Sequence, residues 1–166
     1  MQNLSFSNST SLDLLEFQFL YEEIYAAAIN TLSIKKPVLL SVNFIDKDEA
    51  LNLNSYFRSK NYVPDVLSFP AELSDFSSIL SEDEISEIGD IFICYDEALN
   101  KSKRYQHSIR EEMAFLFVHG FLHLLGYDHE KSSLDEKVMF ELQDSILLKI
   151  GISYNIVFDE LDYLRG

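Results

Sequence analysis

The stretch His119-Gly-Phe-Leu-His123-Leu-Leu-Gly126-Tyr-Asp-His129 holds three of the chain's four histidines. A four-residue spacing puts His119 and His123 on one face of a helix. Gly126 can take the left-handed backbone conformation that ends a helix, so the chain can turn back there. His129 then arrives from the far side of the turn as a third imidazole. Three neutral imidazoles with an open fourth position are the ligand set of a catalytic zinc ion.

The competing reading makes each histidine an ordinary core residue, its ring nitrogens satisfied by neighbours. A bare HxxxH pair carries little weight against that reading. Three imidazoles beside Phe115-Leu116-Phe117-Val118 and Phe121-Leu122 are another matter, because burying them without a common partner is costly. The sequence therefore favours one metal ion on His119, His123 and His129. Zinc is the first choice, and cobalt, nickel or iron would also accept imidazole.

Upstream, Ser108 with Glu111 forms a capping box that opens the histidine helix. Asp46 with Glu49 is a similar start for a helix running to about Phe57. Leu14, Leu15, Phe17, Leu20, Ile24 and Ala28 recur at helical spacing, which predicts a helix over 12–32. Strands are expected at Leu4–Ser7, at Pro37–Ile45 after a Lys-Lys-Pro break, at Asp65–Phe69, and at Asp90–Cys94 introduced by Gly89. Val138, Leu142, Ile146 and Lys149 trace a last helix from about Leu134 to Ile150, stopping at Gly151. Residues 71–88, with Ser81-Glu-Asp-Glu84, read as an exposed loop or short acidic helix. Lys101 to Gln106 is a small basic patch, and the tail from Ile152 is unassigned. This order argues an α+β fold: a small mixed β-sheet packed with four to five helices, with a zincin-like metal helix across it. No repeat or linker divides the chain, so residues 1–166 are expected to form one domain.

At 166 residues and 47% hydrophobic, with 13 Phe and 9 Tyr, the chain can bury a sizeable core. No apolar run is long enough to cross a bilayer, and the first ten residues lack the regions of a signal peptide, so a cytoplasmic protein is expected. The single Cys94 excludes an internal disulfide and reads as inert packing in a strand. A net charge of −15 argues against general nucleic-acid affinity and against anionic membranes. A polyanionic substrate would have to meet a local positive site.

In helical metalloproteases the residue after the first histidine is a glutamate serving as general base. Here it is Gly120, although the spacing of His119, His123, Gly126 and His129 matches the metzincin arrangement. The histidine block resembles instead the signature of the YbeY-type endoribonuclease family, the bacterial rRNA maturation factors. Leu51-Asn-Leu-Asn-Ser-Tyr-Phe-Arg58-Ser-Lys60, followed by Asp65-Val-Leu-Ser-Phe-Pro70, is similar to that family's arginine-bearing segment, and Gly89-Asp-Ile-Phe-Ile93 to its next strand. The matches cover most of residues 38 to 150 in the family order. One departure is Lys60-Asn-Tyr-Val-Pro-Asp65, where the family usually reads Lys-Asp-x-Pro-Thr-Asp.

The resemblance implies a metal-dependent hydrolase, a single-strand-specific endoribonuclease of 16S rRNA 3′-end maturation and ribosome quality control. It implies one Zn2+ ion on His119, His123 and His129 and a catalytic role for Arg58. Its implied partners are an rRNA precursor and a ribosomal subunit or protein, with no DNA and no membrane. On its own, Arg58 would be read as a surface arginine paired with a carboxylate; only the resemblance reverses that. Asp128 is either an orienting partner for a ligand histidine or ordinary turn chemistry. Lys60, Lys101, Lys103 and Arg104 form either a positive rim for RNA or a solvated charge run. Glu111 and Glu112 read as helix-capping groups, and His107 as a residue at a helix start. Two other functions stay open: hydrolysis of another bond, such as a peptide or amide, on the same scaffold, and ribosome assembly by a binding factor whose metal is structural.

Overall fold

The computed structural model describes residues 3–71, 86–128 and 132–154. Among them are four strands, β1 (Leu4–Asn8), β2 (Val38–Ile45), β3 (Val66–Pro70) and β4 (Ser86–Cys94). Five helices accompany them: α1 (Leu15–Leu32), α2 (Lys47–Arg58), α3 (Tyr95–Tyr105), α4 (Ile109–Leu124) and α5 (Ser133–Leu148). The sheet order is β1-β2-β4-β3, with β3 antiparallel to β4 and the other pairs parallel. This is the expected α+β fold with a small mixed sheet. Among the described residues, no helix is long and apolar enough to cross a membrane.

Helices α1, α4 and α5 pack together on one side of the sheet. Tyr21 of α1 is fully buried, stacks on Phe117 of α4 at 4.4 Å and donates to the Met113 carbonyl at 3.0 Å. A phenol this deep needs such an acceptor, because an unpaired buried hydroxyl would cost about 1–3 kcal/mol and cancel much of what its ring burial returns. Helix α2 lies against the other side, where Ala50 meets Ile45 and Cys94 in a satellite cluster. Burial pushes the Cys94 thiol up to about 11, which leaves little thiolate at neutral pH and fits inert packing.

Three elements differ from expectation by more than two residues. Helix α1 starts at Leu15, not Leu12, because the Asn8 side chain donates to the Leu12 carbonyl and accepts from the Thr10 amide, holding 8–12 in a turn. Helix α3 occupies the stretch read as a basic patch. Strand β4 starts at Ser86, so 86–88 belong to the sheet; the rest of the acidic stretch, 72–85, lies outside the described residues. The cause is a bulge: Leu39 pairs with Glu87 while Leu40 pairs with Gly89. Ile88 and Ile91 are three apart, so a regular strand would point them to opposite faces. The extra residue resets the alternation and lets both enter the core, where each is fully buried.

Gly89 makes the bulge possible. Its φ is 139°, and an added Cβ would crowd the Phe69 carbonyl while lying 2.9 Å from Leu124 Cδ2 and 3.0 Å from Pro70 Cα. Two of those three neighbours are backbone and cannot move aside. Gly89→Ala is expected to destabilise the protein by about 3 kcal/mol or more, summing backbone strain and overpacking. Urea unfolding checks this, and a loss under about 1 kcal/mol would show that the bulge relaxes freely.

Candidate metal and phosphate site

Helix α4 carries the first two histidines, and its sequence explains its placement. Ser108 Oγ accepts from the Glu111 amide at 3.0 Å while Glu111 Oε1 accepts from the Ser108 amide at 2.9 Å, the complete capping box. Beyond the cap, ten residues of α4 are buried, because the helix is covered by the sheet, α1, α3 and α5. At its end the Gly126 amide donates to the His123 carbonyl and the Tyr127 amide to the Leu122 carbonyl, with Gly126 at φ 100°. That Schellman closure is the turn expected of this glycine.

His119 and His123 are half-buried, with their Nε2 atoms 3.0 Å apart and their rings nearly perpendicular. Two ligands about 2.0–2.1 Å from a tetrahedral zinc stand roughly 3.3 Å apart, so this pair is close to chelating separation. His119 Nδ1 sits 2.6 Å from Gln143 Oε1, a buried side chain on α5. Both histidines open on a cavity of about 300 Å³ bordered by Val66, Leu67 and Ser68 of the edge strand β3. Asp128 and Arg58 line the same cavity.

Arg58 is the last residue of α2, and Ser59 ends that helix in the left-handed conformation at φ 56°. The following loop is pinned at both ends. Asn54, fully buried, donates to the Tyr62 carbonyl at 3.0 Å, and Asp65 pairs with Lys101 Nζ at 2.7 Å while accepting from its neighbour's amide. Lys101 thus secures the loop that departs from the family pattern. Arg104 lies over the Tyr105 ring at 4.8 Å.

Gly120 lines the cavity where a metalloprotease would carry glutamate. A Cβ there would meet Ile91 of β4 at 3.3–3.5 Å, so the position faces the sheet and leaves no room for a long side chain. His129 lies outside the described residues. Among the described residues, no three His, Cys, Asp or Glu side chains converge as a metal-binding group.

One residue departs from its sequence reading and another was missed by it. Glu112 is not a cap: it is buried, accepts from Tyr154 Oη at 3.0 and 3.1 Å, and lies 3.3 Å from His107 Nδ1. Burial pushes its carboxyl above the usual range, and the hydrogen bonds from His107 and Tyr154 partly offset this. A raised folded pKa gives stability that is complete below the unfolded value, near 4.3, and lost as pH rises through the folded value. Glu112→Gln cannot ionise, so its stability relative to the parent is expected to increase as pH rises from about 4 to 7. Thermal melts across that range test this, and parallel curves would contradict it. Gln143 was not singled out by the sequence, although a polar residue within the buried stripe Met139, Gln143, Ile146 and Leu147 was a legible signal.

A family model described as Endoribonuclease YbeY matches residues 3–151. The chain is 45% identical over 163 residues to the endoribonuclease YbeY of Mesoplasma florum, covering 98% of this chain and 95% of the relative. It is 40% identical to the protein of the same name from Mycoplasma capricolum, covering 100% and 99%, and to that of Staphylococcus epidermidis, covering 93% and 100%. The solution structure of TM1509 from Thermotoga maritima superposes with a TM-score of 0.60 at 23% identity, covering 89% of this chain and 91% of that one. That last likeness concerns the fold alone.

Proposed function

The chain belongs to the endoribonuclease YbeY family, and from that premise we propose that it is a zinc-dependent, single-strand-specific endoribonuclease acting in 16S rRNA 3′-end maturation and ribosome quality control. The carrying observation is that Arg58, His119 and His123, drawn from two helices far apart in sequence, border one cavity. His119, His123 and His129 are the proposed metal ligands. The imidazole pair at near-chelating separation and the neutral donor set both fit one zinc ion. A divalent ion in such a site supplies a Lewis acid for a phosphoryl oxygen.

The remaining chemistry falls to Arg58. A guanidinium is always protonated and forks onto two phosphate oxygens, so it can hold the scissile phosphate and offset charge developing on it. The edge strand β3 contributes Val66, Leu67 and Ser68 to the same cavity, along which a strand of RNA would lie. In a chain of net charge −15, a docking partner with a basic surface, such as a ribosomal protein, would help bring RNA to this cavity.

The test is cleavage of matched single- and double-stranded RNA by the purified full chain, with peptide and ester substrates alongside. Cutting of single strands only, abolished by chelator and restored by zinc, is the expected outcome. Peptide or ester hydrolysis without RNA cleavage would establish a different hydrolase. Binding of ribosomal components with no cleavage would establish an assembly factor.

A further inference from the structure

We infer that Gln143 is a positioning residue for the metal site, holding His119 in the tautomer that presents Nε2 to the ion. This rests on the reading of His119 as a metal ligand.

The His119 ring is held on two sides. One face lies over Phe115 at a centroid distance of 5.4 Å and an angle of 28°. Phe115 in turn stacks on Tyr154 at 4.2 Å, with the planes 5° apart, and Tyr154 donates to the buried Glu112. Burial and the neighbouring Glu112 carboxylate push the Tyr154 hydroxyl well above its usual range, so it keeps the proton it donates. Stacking fixes the plane of an imidazole but not which edge faces the cavity, because the ring can still turn by half a revolution about its bond to Cβ.

Gln143 settles that choice. Its Oε1 lies 2.6 Å from His119 Nδ1, and a carboxamide oxygen only accepts hydrogen bonds. Nδ1 therefore carries the hydrogen, and Nε2, the atom 3.0 Å from His123 Nε2, is left with its lone pair. Metal-binding histidines depend on such an outer partner for orientation and basicity. At the other end of the amide, Gln143 Nε2 is buried and has no hydrogen-bond partner among the described residues. A buried glutamine with one unsatisfied end gains too little from stability alone to hold this place in an apolar stripe. Its acceptor oxygen is the part in use. Asp128, the orienting group weighed from sequence, lines the cavity but is not needed for this role at His119.

Zinc alone is the probe. Competition against a chromogenic chelator would be run on the full chain as wild type, Gln143→Leu, Gln143→Glu and His119→Ala. Gln143→Leu removes the acceptor at similar size and is expected to weaken zinc binding by about 10–100-fold. Gln143→Glu keeps an acceptor and is expected to restore binding to within a few-fold of wild type. Wild-type affinity in Gln143→Leu, alongside loss in His119→Ala, would overturn the inference while leaving the metal site intact. Equal weakening in the Leu and Glu variants would also overturn it, since the role would then be packing. Zinc binding by none of the four would overturn the metal reading, and the inference with it. Nitrogen-15 spectra of the wild-type histidine rings give a measurement independent of any variant's folding: a hydrogen on His119 Nδ1 is expected, and one on Nε2 would refute the assignment.

Discussion

His123→Ala is expected to bind zinc at least about 10²–10³-fold more weakly than the parent, because it removes one of three protein ligands, each worth on the order of a quarter of the 10–16 kcal/mol that four ligands give a structural zinc site. RNA cleavage should fall to the background of a mock preparation. The fold should survive: the core contribution of α4 comes from Met113, Phe117, Val118 and Phe121, each fully buried, whereas His123 is half-buried at the cavity wall. The substitution removes the 3.0 Å contact with His119 but leaves the bond from His119 to Gln143 in place. Metal analysis, circular dichroism and a cleavage assay on one preparation would separate these effects. Full zinc content in a folded His123→Ala protein would remove His123 from the ligand set. Chelation of the wild type should reproduce the loss of cleavage, and zinc should reverse it in wild type only.

The parts of this fold that were legible in sequence are those where a local rule has one solution. Ser108 and Glu111 mark a helix start whatever surrounds them, and the closure at Gly126 follows from its freedom to adopt a positive φ. Strand β2 announces itself by β-branched and apolar residues after a proline. Where tertiary context decides, the reading failed. Helix α3 buries Glu97, Ala98 and Ser102, a stripe with one small apolar residue in it, so its inner face carries little apolar signal. The bulge at Ile88 and Gly89 breaks the alternation that would have revealed the start of β4. Glu111 and Glu112 are adjacent and chemically identical; only the packing of Tyr154 and His107 makes one a cap and the other a buried acceptor. The two histidines could be paired from their spacing on one helix. Arg58 could not be joined to them by any spacing rule, because its approach depends on the edge strand β3 and the pinned loop after α2.

That approach underlies the second large effect. Arg58→Ala is expected to lower kcat for RNA cleavage by about 10²–10³-fold, the range seen when one preorganised donor to developing charge is removed. Zinc content should stay at the wild-type level, since an arginine has no lone pair to offer a metal and this one is exposed at a helix end. Stability should change by well under about 1 kcal/mol, the worth of a cation near the C-terminus of a helix. Arg58→Lys separates charge from shape: it keeps the positive charge but loses the fork that grips two phosphate oxygens, so an intermediate rate is expected. The division between kcat and KM then identifies the step. If Arg58 only tethers RNA, KM rises and kcat holds; if it meets charge that develops during cleavage, kcat falls and KM changes less. The position of Arg58 on the same cavity as the two imidazoles favours the second pattern. An Arg58→Ala protein that cleaves RNA at the wild-type rate with normal zinc content would remove the arginine from the chemistry and leave the histidine centre to account for it alone.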